Sequence, residues 1–164
     1  MVMIQRATAA DIEGDFVVFL FGLRVTRPWK VHRWLPLVMA MPKMIAELEK
    51  KPDSGFLGAH QCINLRSPMM VQYWRSFDQL EAYARDRDAR HFPAWVKFNK
   101  TVGDNGDVGI WHETYRVAAG QYECVYNNVP RTGLAKVTKV IAAAGARETA
   151  RGRMGRREEA AKDA

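Results

Sequence analysis

Between residues 15 and 26 the chain runs Phe16-Val17-Val18-Phe19-Leu20-Phe21 with no polar break. A continuous run of β-branched and aromatic residues predicts a strand buried on both faces. Pro28 ends it. From Trp29 to Lys51 the apolar period changes. Leu35, Val38, Met39, Pro42, Ile45 and Leu48 recur three and four residues apart, which places them on one helix face. Pro36 fits a first helical turn, and Pro42 predicts a kink or a restart. Pro52-Asp53-Ser54-Gly55 is turn chemistry.

Residues 56–65 alternate as a strand does. Leu57, Ala59, Gln61, Ile63 and Leu65 share one face, and Gly58, His60, Cys62 and Asn64 share the other. Arg66-Ser67-Pro68 turns the chain into a third strand at 69–75, and the short gap predicts an antiparallel hairpin. Ser76 is a helix cap with Gln79 at the third helical position. Phe77, Leu80, Tyr83 and Ala84 follow on that helix, and a further helix is predicted over 92–101. The glycine-rich turn 103–109 lacks the pattern of a phosphate loop. A fourth strand spans 108–117, with Ile110, His112, Thr114 and Arg116 on one face and Trp111, Glu113, Tyr115 and Val117 on the other. A short extended piece, 122–129, ends at Pro130.

The order β-α-β-β-α-(α)-β-β predicts an α+β fold, a ferredoxin-like antiparallel sheet with helices on one face. Residues 1–14 read as a loose N-terminal lead, residues 15–135 as the domain, and residues 136–164 as a basic, partly disordered tail.

The length of 164 residues predicts one domain. Net charge changes the picture little. Of the +7, the tail holds +4, from eight Lys/Arg against four Asp/Glu. All seventeen Phe, Trp and Tyr lie between Phe16 and Tyr126, so the tail has no ring to stack on bases, and no nucleic-acid partner is expected. The longest apolar run is Phe16 to Leu23, short of the roughly 20 residues of a membrane span. Cys62 and Cys124 stand too far apart for a zinc pattern and read as free thiols. Nothing near the N-terminus resembles a secretory signal, so a cytoplasmic location is expected.

The segment Tyr73-Trp74-Arg75-Ser76-Phe77-Asp78-Gln79-Leu80-Glu81-Ala82-Tyr83, set in this element order, resembles the dimeric α/β-barrel superfamily. Residues 29–42, 55–64 and 73–83, the run Gly109-Ile110-Trp111-His112-Glu113-Thr114-Tyr115, and residues 122–134 with Asn127-Asn128 are closer still to one group. They resemble a monooxygenase-like family related to a fungal fumagillin-pathway monooxygenase. The resemblance implies a homodimer that pairs its sheets into a dimeric α/β barrel. It also implies a pocket in each protomer between sheet and helices, holding a hydrophobic or aromatic small-molecule substrate.

A cofactor-free oxygenase of this superfamily must remove a proton from an electron-rich enol or phenol. That requires a base titrating near neutrality, as imidazole does. His112 is the candidate, set among other reactive side chains on one strand. Glu113 points to the opposite face and is not its direct partner. Trp74, Trp111, Tyr115, Met70 and Phe98 are candidate pocket walls, and Asn64, Asn127 or Arg75 could orient a substrate oxygen. His60, also mid-strand, is read as bonded to a neighbour at the sheet surface and retained as a substrate contact. Core packing is the competing reading of every one of these aromatics.

No local spacing signals a metal site, although His60 and His112 could meet across strands. No cofactor is favoured. Haem remains open, with His112 as axial ligand, or His32 or His91, since the superfamily's haem branches use a helix-borne histidine. The apolar stretch 29–44 carries Trp29, Trp34, Leu35, Leu37 and Val38 beside Lys30, Arg33 and Lys43. Covering the pocket, lining the dimer interface and touching a membrane surface are its three readings, in that order.

Overall fold

The computed structural model describes residues 3–10, 12–89, 91–101 and 105–154. The run of strand-forming residues becomes β3 (Phe16–Val25), preceded by two short strands, β1 (Met3–Ile4) and β2 (Ala7–Ala10). Next come α1 (Val31–Leu48), β4 (Phe56–Cys62), β5 (Met69–Trp74), α2 (Phe77–Arg85), α3 (His91–Thr101) and β6 (Val108–Val117). The chain continues through β7 (Val129–Pro130), β8 (Lys139–Ala142) and α4 (Ala150–Met154).

Four strands make one open sheet in the order β4-β5-β3-β6. This is the ferredoxin-like α+β arrangement expected from the sequence. β4 and β5 pair antiparallel, with Ala59 opposite Gln72, His60 opposite Val71 and Gln61 opposite Met70. Leu23 donates its N–H to the Pro68 carbonyl and Val25 to that of Arg66, so β3 runs against the chain leading into β5.

The described residues divide into two compact units. Val18–Tyr115 forms one, and Met1–Val17 with Arg116–Ala164 forms the other. In the first unit, Leu23, Met41 and Met70 form a buried cluster backed by Phe21, Leu37, Val38, Met44, Ile45, Ala59 and Ile110. The helix face of α1 therefore closes on one face of the sheet. Ser76 caps α2 as expected, its Oγ accepting the Gln79 N–H at 3.2 Å.

At the start of α1 a charge cluster joins distant segments. Arg27, Lys30 and Arg33 reach the Asp107 carboxylate at 2.7, 2.9 and 2.7 Å, and the Asp107 side chain is only 1% exposed. The hydrogen bond from Lys30, aided by that from Arg27, holds the Asp107 carboxyl below its ordinary range against the opposing effect of desolvation.

Several local expectations are corrected. The lead is not loose: β1 pairs with β7 and β2 with β8, both antiparallel. Ile4, Ala7 and Ala135 pack there with Tyr126 and Val140. Residues 136–164, expected to be partly disordered, carry β8 and α4, and residues 155–164 lie outside the described residues. α1 runs through both Pro36 and Pro42, because its buried face outweighs the two lost backbone hydrogen bonds. β4 stops at Cys62, leaving Ile63 89% and Leu65 64% exposed in the following loop. Neither Cys62 nor Cys124 forms a disulfide, and both are half-buried. Among the described residues no helix is long and apolar enough to cross a membrane.

Candidate functional site

Between the sheet and the helices α1 and α2 lies a cavity of about 170 Å³. Alternation on β3 sends Phe19, Phe21 and Leu23 into it, and Ile110 joins them from β6. α1 contributes Leu37, Ala40, Met41 and Met44; α2 contributes Leu80, Tyr83 and Ala84. Gln72 of β5 and Tyr83 are the two side chains on this wall that carry polar atoms.

Gln72 is buried and accepts a hydrogen bond from the Trp74 indole, Nε1 to Oε1, at 2.9 Å. Its Nε2 lies 3.8 Å from the Met70 sulfur. Trp74 is fully buried, its ring 5.3 Å from Phe56 and 5.5 Å from Tyr83 between centroids. Burial, with the Glu47 and Asp86 carboxylates, pushes the Tyr83 phenol far above its ordinary range. Tyr83 is thus a neutral phenol at physiological pH and cannot serve as a base there.

The seven candidate residues divide between the two faces of the sheet and a loop. Met70 and Trp74 lie on the helix-facing side, flanking Gln72. His112 shares the face of Ile110 by alternation, and its ring lies 5.7 Å from that of Phe19, a cavity wall residue. His112 is exposed and is not itself part of the wall. Trp111 packs on the opposite face over Gly22, where a Cβ would stand 2.5 Å from the indole. Tyr115, on that same face, donates to Glu113 Oε2 at 2.6 Å, and this carboxylate raises the phenol's pKa. His60 is half-buried opposite Val71, also on the far face. Asn64 is exposed in the loop, its Oδ1 accepting the N–H groups of Arg66 and Ser67 at 2.9 and 3.2 Å.

His60 and His112 are therefore kept apart. They occupy the two edge strands and opposite faces, so the meeting allowed by the sequence does not occur. Among the described residues no group of three or more His, Cys, Asp or Glu could hold a metal ion. His32 is exposed on α1, and the side chain of His91 lies outside the described residues. Of the other wall and anchor candidates, Phe98 is half-buried on α3 and Arg75 is exposed after β5. Asn127 accepts the Arg6 backbone N–H in the other unit. Gln72 and Tyr83 were not singled out from the sequence. Gln72 had a signal, a polar residue at the midpoint of a face whose neighbours at i−2 and i+2 are Met70 and Trp74.

No curated protein matches the sequence. An aldoxime dehydratase in complex with butyraldoxime superposes with a TM-score of 0.63 at 16% identity, over 82% of this chain and 40% of that one. A second aldoxime dehydratase structure gives 0.62 at 18% identity, over 92% and 44%. The chain spans less than half the length of these two proteins, and the likeness shows the fold alone. SnoaB, a cofactor-independent oxygenase from Streptomyces nogalater, gives 0.41 at 13% identity, over 62% of this chain and 91% of that one. The sequence itself matches the monooxygenase af470-like family over residues 16–134, from the start of β3 to beyond β7. With most of its length inside that match, and with the ferredoxin-like sheet in place, the chain belongs to the monooxygenase af470-like family.

Proposed function

We propose that this protein is a small monooxygenase-type oxidoreductase whose substrate, a compact apolar small molecule, sits in the cavity between the sheet and α1 and α2. One observation carries the reading. Phe19 is at once part of the cavity wall and the ring partner of His112, so an ionisable side chain stands one ring away from an apolar chamber. An apolar cavity of this size holds a single ring or a compact bicycle.

In this reading His112, standing outside the wall beside Phe19, takes the proton of an enol, phenol or activated C–H by way of one water, and the substrate anion passes one electron to dioxygen. Substrate radical and superoxide then join through a new C–O bond, and His112 returns the proton to complete the hydroperoxide. Loss of water from the hydroperoxide leaves a ketone or quinone that keeps one oxygen atom, so one substrate and one dioxygen give one oxidised product and one water with no other oxidant. The protein works as a homodimer, with the sheet face opposite the helices turned toward a second copy.

Oxygen uptake with compact cyclic enols and phenols tests this, with absorbance recorded in the Soret region to detect haem. His112→Ala should lower turnover by about a hundredfold or more, the usual contribution of a positioned base. Unchanged turnover dismisses the assignment. The exposure of His112 favours a second reading, a non-catalytic dimeric binder of hydrophobic ligands, since general bases gain most where water is excluded. That reading predicts ligand binding without oxygen uptake.

A further inference from the structure

One of the two polar side chains on the cavity wall has a fixed orientation. Trp74 Nε1–H can only donate, so the Gln72 atom 2.9 Å away must be the carboxamide oxygen. Gln72 Nε2 is then turned to the other side, where its hydrogen-bond partner is the Met70 thioether at 3.8 Å. A thioether is a weak acceptor, and a primary amide nitrogen carries two hydrogens. One donor site on a buried side chain is therefore left for a ligand, on a wall where the Tyr83 phenol is the other polar group and Phe19, Phe21, Leu80 and Ile110 are apolar.

We propose that Gln72 is the polar anchor of the cavity. Its amide nitrogen donates to a carbonyl, enol or enolate oxygen on a compact and otherwise apolar ring, selecting oxygenated ligands over hydrocarbons of the same shape. Trp74 acts as a positioning residue, locking the amide so that the nitrogen and not the oxygen is offered. An oxygen-bearing ligand gains a hydrogen bond in a place with little water to compete, whereas the hydrocarbon leaves the donor unmatched. A substrate anion gains more, because charge strengthens the bond. This inference rests on the cavity being the ligand site and deepens that reading by naming the substrate class.

The test uses indanone and its hydrocarbon counterpart indane as probes, with binding read by calorimetry and the bound ketone read by its infrared carbonyl stretch. In the wild-type protein the carbonyl band should fall below its position in alkane solvent. Gln72→Leu should return the band to the alkane position and lower the indanone-to-indane affinity ratio about tenfold, leaving indane binding in place. An unshifted band in the wild-type protein, or an unchanged ratio in the variant, overturns the role of Gln72 while leaving the cavity as a ligand site. Failure of both probes to bind overturns the inference and the cavity reading together. Should Gln72→Leu not fold, because the Trp74 N–H has lost its acceptor, Tyr83→Phe decides: a carbonyl band still shifted in that variant keeps the donor at Gln72, and a band returned to the alkane position overturns it.

Discussion

Asp107 holds three cations on one carboxylate, and this residue shows what a sequence hides. Its partners Arg27, Lys30 and Arg33 come roughly eighty residues earlier, so nothing local marks the pairing. The glycine-rich turn around it was legible only as a turn. By contrast, the bond between Tyr115 and Glu113 joins residues two apart on a strand, where alternation already places both on one face. The Asp107 cluster should make stability depend on acid. Its folded pKa lies below the ordinary 3.8. The unfolded chain therefore takes up the proton first as pH falls. The stabilisation is complete above about 3.8 and is lost as pH falls toward the folded value. Urea unfolding across that range should show wild-type stability falling on the acid side. Asp107→Asn should be less stable at neutral pH, where three cations lose their counter-ion, and should lack Asp107's share of the acid decline. An acid limb of equal steepness in both proteins would remove the cluster from the account.

Elements were legible where their signals are local. β3, β5, β6 and the cap of α2 follow from run length, alternation and the Ser76-to-Gln79 spacing. β1 and β2 were not legible, because Ala7–Ala10 is poor in strand formers and its partner β8 lies some 130 residues away. The persistence of α1 through two prolines was hidden for a related reason: the tertiary contacts of Met41, Leu37 and Met44 decide it, not local propensity. α2 offers a test at this scale. Ser76 Oγ accepts the Gln79 N–H, and Leu80, Tyr83 and Ala84 carry the cavity wall on the same helix. Ser76→Ala should cost about 1 kcal/mol, as lost caps usually do, and Ser76→Asp should restore most of it. Denaturant unfolding of the three proteins measures both. A Ser76→Ala protein of wild-type stability would mean that tertiary packing alone fixes the start of α2.

At the scale of the whole molecule, the fold was readable, but not which candidates would stand on the same face of the sheet. Alternation tells which residues of one strand go together; it does not tell which face the helices will cover. Met70 and Trp74 therefore fell on the cavity side, while Trp111, Tyr115 and His60 fell on the other, and that second face carries the remaining prediction. Val18, Leu20, Val71 and Trp111 point away from the cavity and are half-buried in the single chain. Each 100 Å² of apolar surface they hide against a second copy contributes about 2.5 kcal/mol in area terms, and a stable interface hides roughly 1,200–2,000 Å² in total. A negative charge placed there, on the face that already carries Glu113, would have to be buried near a like charge, which costs more than the surrounding contacts return. Sedimentation equilibrium should therefore find a wild-type dimer and a Leu20→Glu monomer with an unchanged circular-dichroism spectrum. Because Leu20 faces away from the cavity wall, the same variant should still bind indanone. A wild-type protein that stays monomeric at micromolar concentration would leave this face open to solvent and confine the function to what one chain can do.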